Sequence, residues 1–187
     1  MPQALITTSR KTSNRVRSFV RDLWSVLPGT ERFNRGGMSI EELRSRVQQS
    51  GARLALIVTI WKGNPRTIRF LYPHDEDVLE IRIESAALRR EVTGNTGPRM
   101  QSIYGVTVEE NCTQNAREFA SVIASMLGTD VKSEQQPVVL DEAASGMVEI
   151  RISDIRGGKL LWTFYHVENG LEVGPRIRIS QLWRESS

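Results

Sequence analysis

Apolar residues at Val16, Phe19, Val20, Leu23 and Leu27 recur at i, i+3, i+4, i+7 and i+11, the stripe of an amphipathic helix. Ser13 is placed to cap its start, and Pro28-Gly29 ends it. Arg15, Arg21 and Asp22 fall largely on the opposite side, with Arg17 towards the flank. A second helix begins at Ser39, where Ser-Ile-Glu-Glu reads as a capping box and Ile40, Leu43 and Val47 supply the apolar positions. Ser50-Gly51 closes it. A third helix follows from Ala116, Phe119, Ala120, Ile123 and Leu127, with Gly128 at its end. Between and after these helices the period changes to two. Ala4–Thr8 is a short β-rich run, Leu54–Trp61 reads as a buried strand, and Arg66–Tyr72 alternates with Ile68, Phe70 and Tyr72 on one face. Val78–Glu84, Val138–Leu140, Val148–Ile152, Leu160–Val167 and Arg176–Ser180 complete the strand candidates. Lys62-Gly63-Asn64-Pro65, Gly157-Gly158 and Asn169-Gly170 mark turns, and Thr93–Pro98 reads as a loop between halves. Strands alternating with helices predict an α/β fold.

The first and third helices superpose at an offset of 100 residues. Arg17/Arg117, Phe19/Phe119, Ser25/Ser125 and Leu27/Leu127 are identical, and the preceding strands also align, Leu5-Ile6-Thr7 against Gly105-Val106-Thr107. Two helices of equal period match partly by chance, so the differences carry more. Arg15 and Arg21 become Asn115 and Ser121, which leaves only the first copy with a basic face.

Charge sharpens that asymmetry. The 187-residue chain carries a formal net charge of +3, but residues 1–50 hold nine basic and four acidic groups. The first quarter is therefore at +5 and the remainder at −2. Arg outnumbers Lys by 21 to 4, a bias compatible with bidentate phosphate recognition and equally with genome composition or growth at high temperature. The longest apolar run, Leu54–Trp61, is far short of the ~20 residues of a membrane span. Ser9, Arg10 and Lys11 interrupt the opening before a signal peptide could form, and the single Cys112 predicts a reducing, intracellular setting.

The strand–loop–helix at the start is the best candidate site. Thr7, Thr8, Ser9, Arg10, Lys11, Thr12 and Ser13 put five hydroxyls and two cations before a helix N-terminus, with Arg15 in its first turn. Phe33-Asn34-Arg35-Gly36-Gly37-Met38 is the second, its glycines permitting close backbone approach. Arg10, Lys11, Arg15 and Arg35 are the cations expected to hold phosphate. Against these stand an ordinary solvated loop and an ordinary turn. A phosphate-processing enzyme on the Thr7–Ser13 loop is disfavoured, because the Gly-x-x-x-x-Gly-Lys-Ser/Thr pattern is missing. His74 and His166 have no metal-ligand spacing, so neither a metal nor a cofactor is expected. Pro73-His74-Asp75-Glu76-Asp77 reads as an acidic turn, Cys112 as inert, and Trp24, Trp61, Trp162 and Trp183 as core packing.

These residues resemble a known family. Ile6–Ser13, Arg17-Ser-Phe19, Leu27-Pro-Gly29, Asn34-Arg-Gly36 and Met38–Leu43 look like the opening of a Brix domain. Phe164-Tyr165-His166 and Gly170–Arg176 are similar to its closing strands, so the likeness spans about residues 4–180 and is of the compact archaeal type. The resemblance implies one Brix domain over 1–187, built from two similar α/β halves at about 1–91 and 100–187. Each half would resemble the anticodon-binding domain of class II aminoacyl-tRNA synthetases. It implies a non-catalytic RNA-binding factor for rRNA processing and ribosomal subunit assembly. The alternative is a protein–protein scaffold of a pre-ribosomal complex without RNA contact. Expected partners are ribosomal RNA or a guide-type small RNA and other assembly proteins, with no membrane and no small-molecule substrate. The expected place is the cytoplasm, or the nucleolus in eukaryotic relatives. The candidate RNA contacts are Thr8, Ser9, Arg10, Lys11, Ser13, Arg15, Arg21, Asn34, Arg35 and Gly36; Gly174-Pro175-Arg176 reads as a tight entry to a strand. Residues 85–115 match none of the family's motifs.

Overall fold

The computed structural model describes residues 1–75, 78–134 and 145–185. Among them the order is β1 (Ala4–Thr8), α1 (Asn14–Val26), β2 (Thr30–Arg32), α2 (Ile40–Ser50), β3 (Leu54–Trp61), β4 (Asn64–Leu71), β5 (Val78–Ala87), α3 (Arg89–Thr93), β6 (Ser102–Val108), α4 (Gln114–Leu127), β7 (Val131–Ser133), β8 (Met147–Ile155), β9 (Lys159–His166) and β10 (Arg176–Glu185). All ten strands join one mixed sheet in the order β2-β1-β3-β4-β5-β10-β9-β8-β6-β7. The order reads alike from either edge. A parallel trio lies at each end, β2-β1-β3 and β8-β6-β7, followed inward by antiparallel strands that meet at β5 and β10. No described helix is long and apolar enough to cross a membrane.

The predicted elements form for the expected reasons. The Val16 amide donates to Ser13 Oγ at the start of α1, and both bonds of the Ser39–Glu42 capping box are present on α2. β1 and the first five residues of β3 are buried throughout, as parallel strands covered on both faces must be. Helices α1 and α4 cover one face and share a single apolar cluster that draws on both ends of the sheet. A smaller cluster on the other face gathers Leu5, Ala55, Ile57 and Leu71 beneath Leu43 and Val47 of α2. The predicted strand Val138–Leu140 lies outside the described residues.

Three elements are additional to those predicted: β2, β7 and α3. Two assignments are corrected. Trp61, which reads as core packing, stands at the end of β3 and is 59% exposed, and Asp22, which reads as part of the polar side of α1, is only 4% exposed. Asp22 lies seven residues from Arg15 on the stripe facing α3, where the Arg89 amide donates to its carboxylate at 2.8 Å. Burial raises the Asp22 pKa above its ordinary value, and that amide bond opposes the rise.

Arg15 reaches α3 as well. Its guanidinium donates twice to Glu91, at 2.6 and 3.0 Å, and the Leu88 amide adds a third bond at 2.7 Å. These bonds, Arg15's first, hold the Glu91 carboxylate at a pKa of about 2 against an ordinary 4.5. A carboxylate depressed in the folded state contributes stability above its unfolded pKa and loses it as the pH falls through the folded one. Glu91→Gln is therefore expected to flatten the acid loss of stability between pH 4.5 and 2, read from urea midpoints across that window. Identical profiles for the two proteins would show that the pair adds nothing. Because both side chains are a third or more exposed, the difference shrinks with added salt.

Candidate nucleic-acid interface

β1 sits between two parallel neighbours, β2 and β3. The chain leaves β1 for α1 on one face and leaves β2 for α2 on the other, so the C-terminal ends of β1 and β2 form a topological switch point. Open α/β sheets bind ligands in the crevice such a switch creates. Here it brings the two candidate loops together. Thr7 Oγ1 donates to Phe33 O at 3.0 Å, and the Phe33 amide donates to Ile6 O at 3.1 Å. Arg10 Nε and Arg35 Nε both donate to Met38 O, at 3.4 and 2.9 Å. The N-termini of α1 and α2 open at this end, each with partial positive charge.

The ten candidate residues divide by what they already hold. Arg10, Lys11, Arg21, Asn34 and Gly36 are exposed. Arg35 is only 8% exposed and bonds its own loop. Burial lowers its pKa, with further lowering from Arg10 and Arg69 nearby. Arg15 is committed to Glu91. The hydroxyls are mostly spent on carbonyls, Ser9 Oγ donating to Lys11 O and Ser13 Oγ to Gly63 O. Thr8 is largely buried at the end of β1. Three of the five hydroxyls expected to meet phosphate thus shape the loop instead, and Thr12 Oγ1 is buried without a partner.

Two cations join the candidate set. Arg17 and Arg32 line one cleft of about 260 Å³ with Thr8, Val20, Phe33 and Asn34. Arg17 and Arg21, one turn apart, form the outward basic stripe of α1, whereas Arg15 turns to α3. That i, i+4 spacing is a signal the sequence does carry. Arg32 gave none, because it ends a strand of three residues.

The other end of the sheet offers a comparison. Leaving β6, the corresponding loop reads Glu109-Glu110-Asn111-Cys112-Thr113. Glu134 follows β7, where Asn34 and Arg35 stand two and three residues after β2. Among the described residues the loop leaving β1 is basic and the loop leaving β6 acidic. Among the described residues no group of three or more His, Cys, Asp or Glu is placed to hold a metal ion.

No family model matches the chain. A probable Brix domain-containing ribosomal biogenesis protein of Thermococcus kodakarensis is 31% identical over 187 residues, spanning 96% of this chain and 89% of that protein. The U3 small nucleolar ribonucleoprotein protein IMP4 of Bos taurus is 36% identical over 64 residues, 34% of this chain and 22% of that protein. The crystal structure of a probable ribosomal biogenesis protein from Aeropyrum pernix superposes with a TM-score of 0.72 at 27% identity, covering 96% of each chain.

Proposed function

Because the chain belongs to the Brix-domain family of ribosomal biogenesis proteins, we propose that it acts in ribosome assembly by binding RNA directly, without catalysis. The observation that carries this reading is the convergence of two basic loops and two helix N-termini at one switch point. There Arg10, Lys11, Arg17, Arg21 and Arg32 are all exposed. Such a surface holds backbone phosphates and fixes register on the RNA. Ribosomal RNA or a guide-type small RNA is the partner of fitting chemistry, and the likeness to a component of a small nucleolar ribonucleoprotein supports that class. The acidic counterpart in the second half favours one RNA-gripping end over two. The same reading takes the fold as two similar α/β halves, about 1–91 and 100–187, of the kind found in the anticodon-binding domain of class II aminoacyl-tRNA synthetases. The strand order that reads alike from both edges supports it.

The test replaces Arg10, Lys11, Arg17 and Arg21 with Ala, leaving Arg15 and Arg35 to hold the protein together. Each lost phosphate contact removes roughly 0.7–0.9 from the slope of log affinity against log salt. A structured rRNA fragment should therefore show a slope shallower by about 3 and an affinity at least tenfold weaker. Equal affinity in the variant would overturn the site. Wild-type protein that ignores RNA at low salt yet co-purifies with a protein partner would favour the scaffold instead.

A further inference from the structure

We infer that Trp61, at the tip of the β3–β4 hairpin, is a stacking site for an unpaired nucleobase; this rests on the RNA reading above and extends its surface. The apolar run Leu54–Trp61 reads as buried, and its first five residues are. The strand then continues past the core, and Trp61 emerges 59% exposed. Isolated exposed apolar residues such as Leu171 are ordinary. Trp61 differs in its surroundings. A cleft of about 360 Å³ is lined by Trp61 together with Arg15, Lys62 and Arg66. The carboxylate on its wall, Glu84, is paired with Lys159 and lies 4.0 Å from Arg178. Arg15 is itself paired with Glu91, so Lys62 and Arg66 leave the charge facing an incoming ligand positive.

The other tryptophans are covered. Trp24 lies under Arg99 and Arg32, Trp183 under Arg82, and Trp162 packs against Phe119 and Phe164. Among the described residues no ring or cation packs over Trp61. A flat aromatic surface beside cations that can hold the flanking phosphates is the combination that binds single-stranded RNA. A duplex keeps its bases stacked internally and offers no such face.

The hairpin tip that carries the ring is also held in place. Lys62 and Gly63 have φ of 47° and 80°, the left-handed pair of a tight hairpin turn. Ser13 Oγ donates to Gly63 O at 2.7 Å, which fixes the hairpin tip to the start of α1 and the basic loop before it. A base on Trp61 and phosphates on Arg10 and Lys11 would thus be read by one rigid unit, with little ordering cost on the protein side.

Binding of a short single-stranded RNA and of a duplex of the same sequence, measured for wild type, Trp61→Ala and Trp61→Phe, tests this. The exposed ring can be removed without opening the core. Trp61→Ala should bind the single strand roughly 5- to 100-fold more weakly and the duplex as wild type does. Trp61→Phe should recover most of the loss. Wild type that binds RNA while Trp61→Ala binds it equally well overturns this inference and leaves the basic surface standing. An equal loss on the duplex overturns base stacking, and wild type that binds neither RNA overturns both readings.

Discussion

Arg89→Ala is expected to destabilise the protein by about 3–5 kcal/mol. Arg89 is 2% exposed at the start of α3. Its guanidinium donates to Ser25 Oγ in α1 at 2.9 Å, to Pro98 O at 2.9 Å and to Val173 O at 3.1 Å. One side chain therefore ties the first helix to the connection between halves and to the approach to β10. Two of those acceptors are backbone carbonyls, and removing their donor exposes the full desolvation cost. The neighbouring glycines show how closely the chain is drawn in. A Cβ on Gly97 would stand 2.6 Å from Arg89 Nη2, and one on Gly174 would stand 3.1 Å from Arg89 Cα, both at positive φ. That gives the Gly174-Pro175-Arg176 segment a structural role, as its sequence reads.

The loss should depend on pH, and the sign follows from Asp22. Burial already raises the Asp22 pKa, and the Arg89 charge is among the groups that lower it. Without Arg89 the charged carboxylate is less compensated, so the variant falls further below wild type as pH rises through the Asp22 titration and less below it in acid. Urea midpoints for wild type, Arg89→Ala and Arg89→Lys measure this. Lys keeps the charge but not the planar fork, and should recover only part of the stability. A loss under 1 kcal/mol would show the three acceptors satisfied by other groups.

This network marks the boundary of what the sequence makes legible. Ala4–Thr8 and Leu54–Trp61 appear with their expected ends, since continuous apolar runs in parallel strands leave an unmistakable pattern. The caps at Ser13 and Ser39 are read from residues only three apart. The three-residue β2 and β7 exist because β1 and β6 offer them an edge, and three residues are too few to show a period. α3 is held by Arg89 and Glu91, whose partners in α1 and before β10 lie 64 to 84 residues away. The candidate site divides in the same way. Its loops were visible as composition, and their convergence follows from strand order. Arg15 and Arg35 read as free cations because their partners, Glu91 and Met38 O, are set by folding.

Phe119→Ala is expected to cost about 3–5 kcal/mol and to lower the stability of the whole sheet, not of one half. Phe119 is fully buried on α4. Its ring meets Trp162 of β9 edge-on at 5.2 Å and Phe70 of β4 edge-on at 6.2 Å. In the sheet β9 lies on one side of the β5–β10 pair and β4 on the other. Truncation therefore opens a cavity in the apolar cluster that both ends of the sheet share, and edge-to-face pairs contribute beyond the area they bury. Halves with separate cores would each keep their own stability, and hydrogen exchange would show protection falling in β8 and β9 alone. The continuous β5–β10 ladder and the common cluster predict otherwise. Amides of β1 and β3 should lose as much protection free energy as those of β8 and β9, because both report one cooperative opening. The same cluster joins Phe119 of α4 to the buried residues of α1, and Arg89 bonds Ser25 of α1, so the helix that carries the exposed Arg17 and Arg21 is fixed against the sheet from both sides.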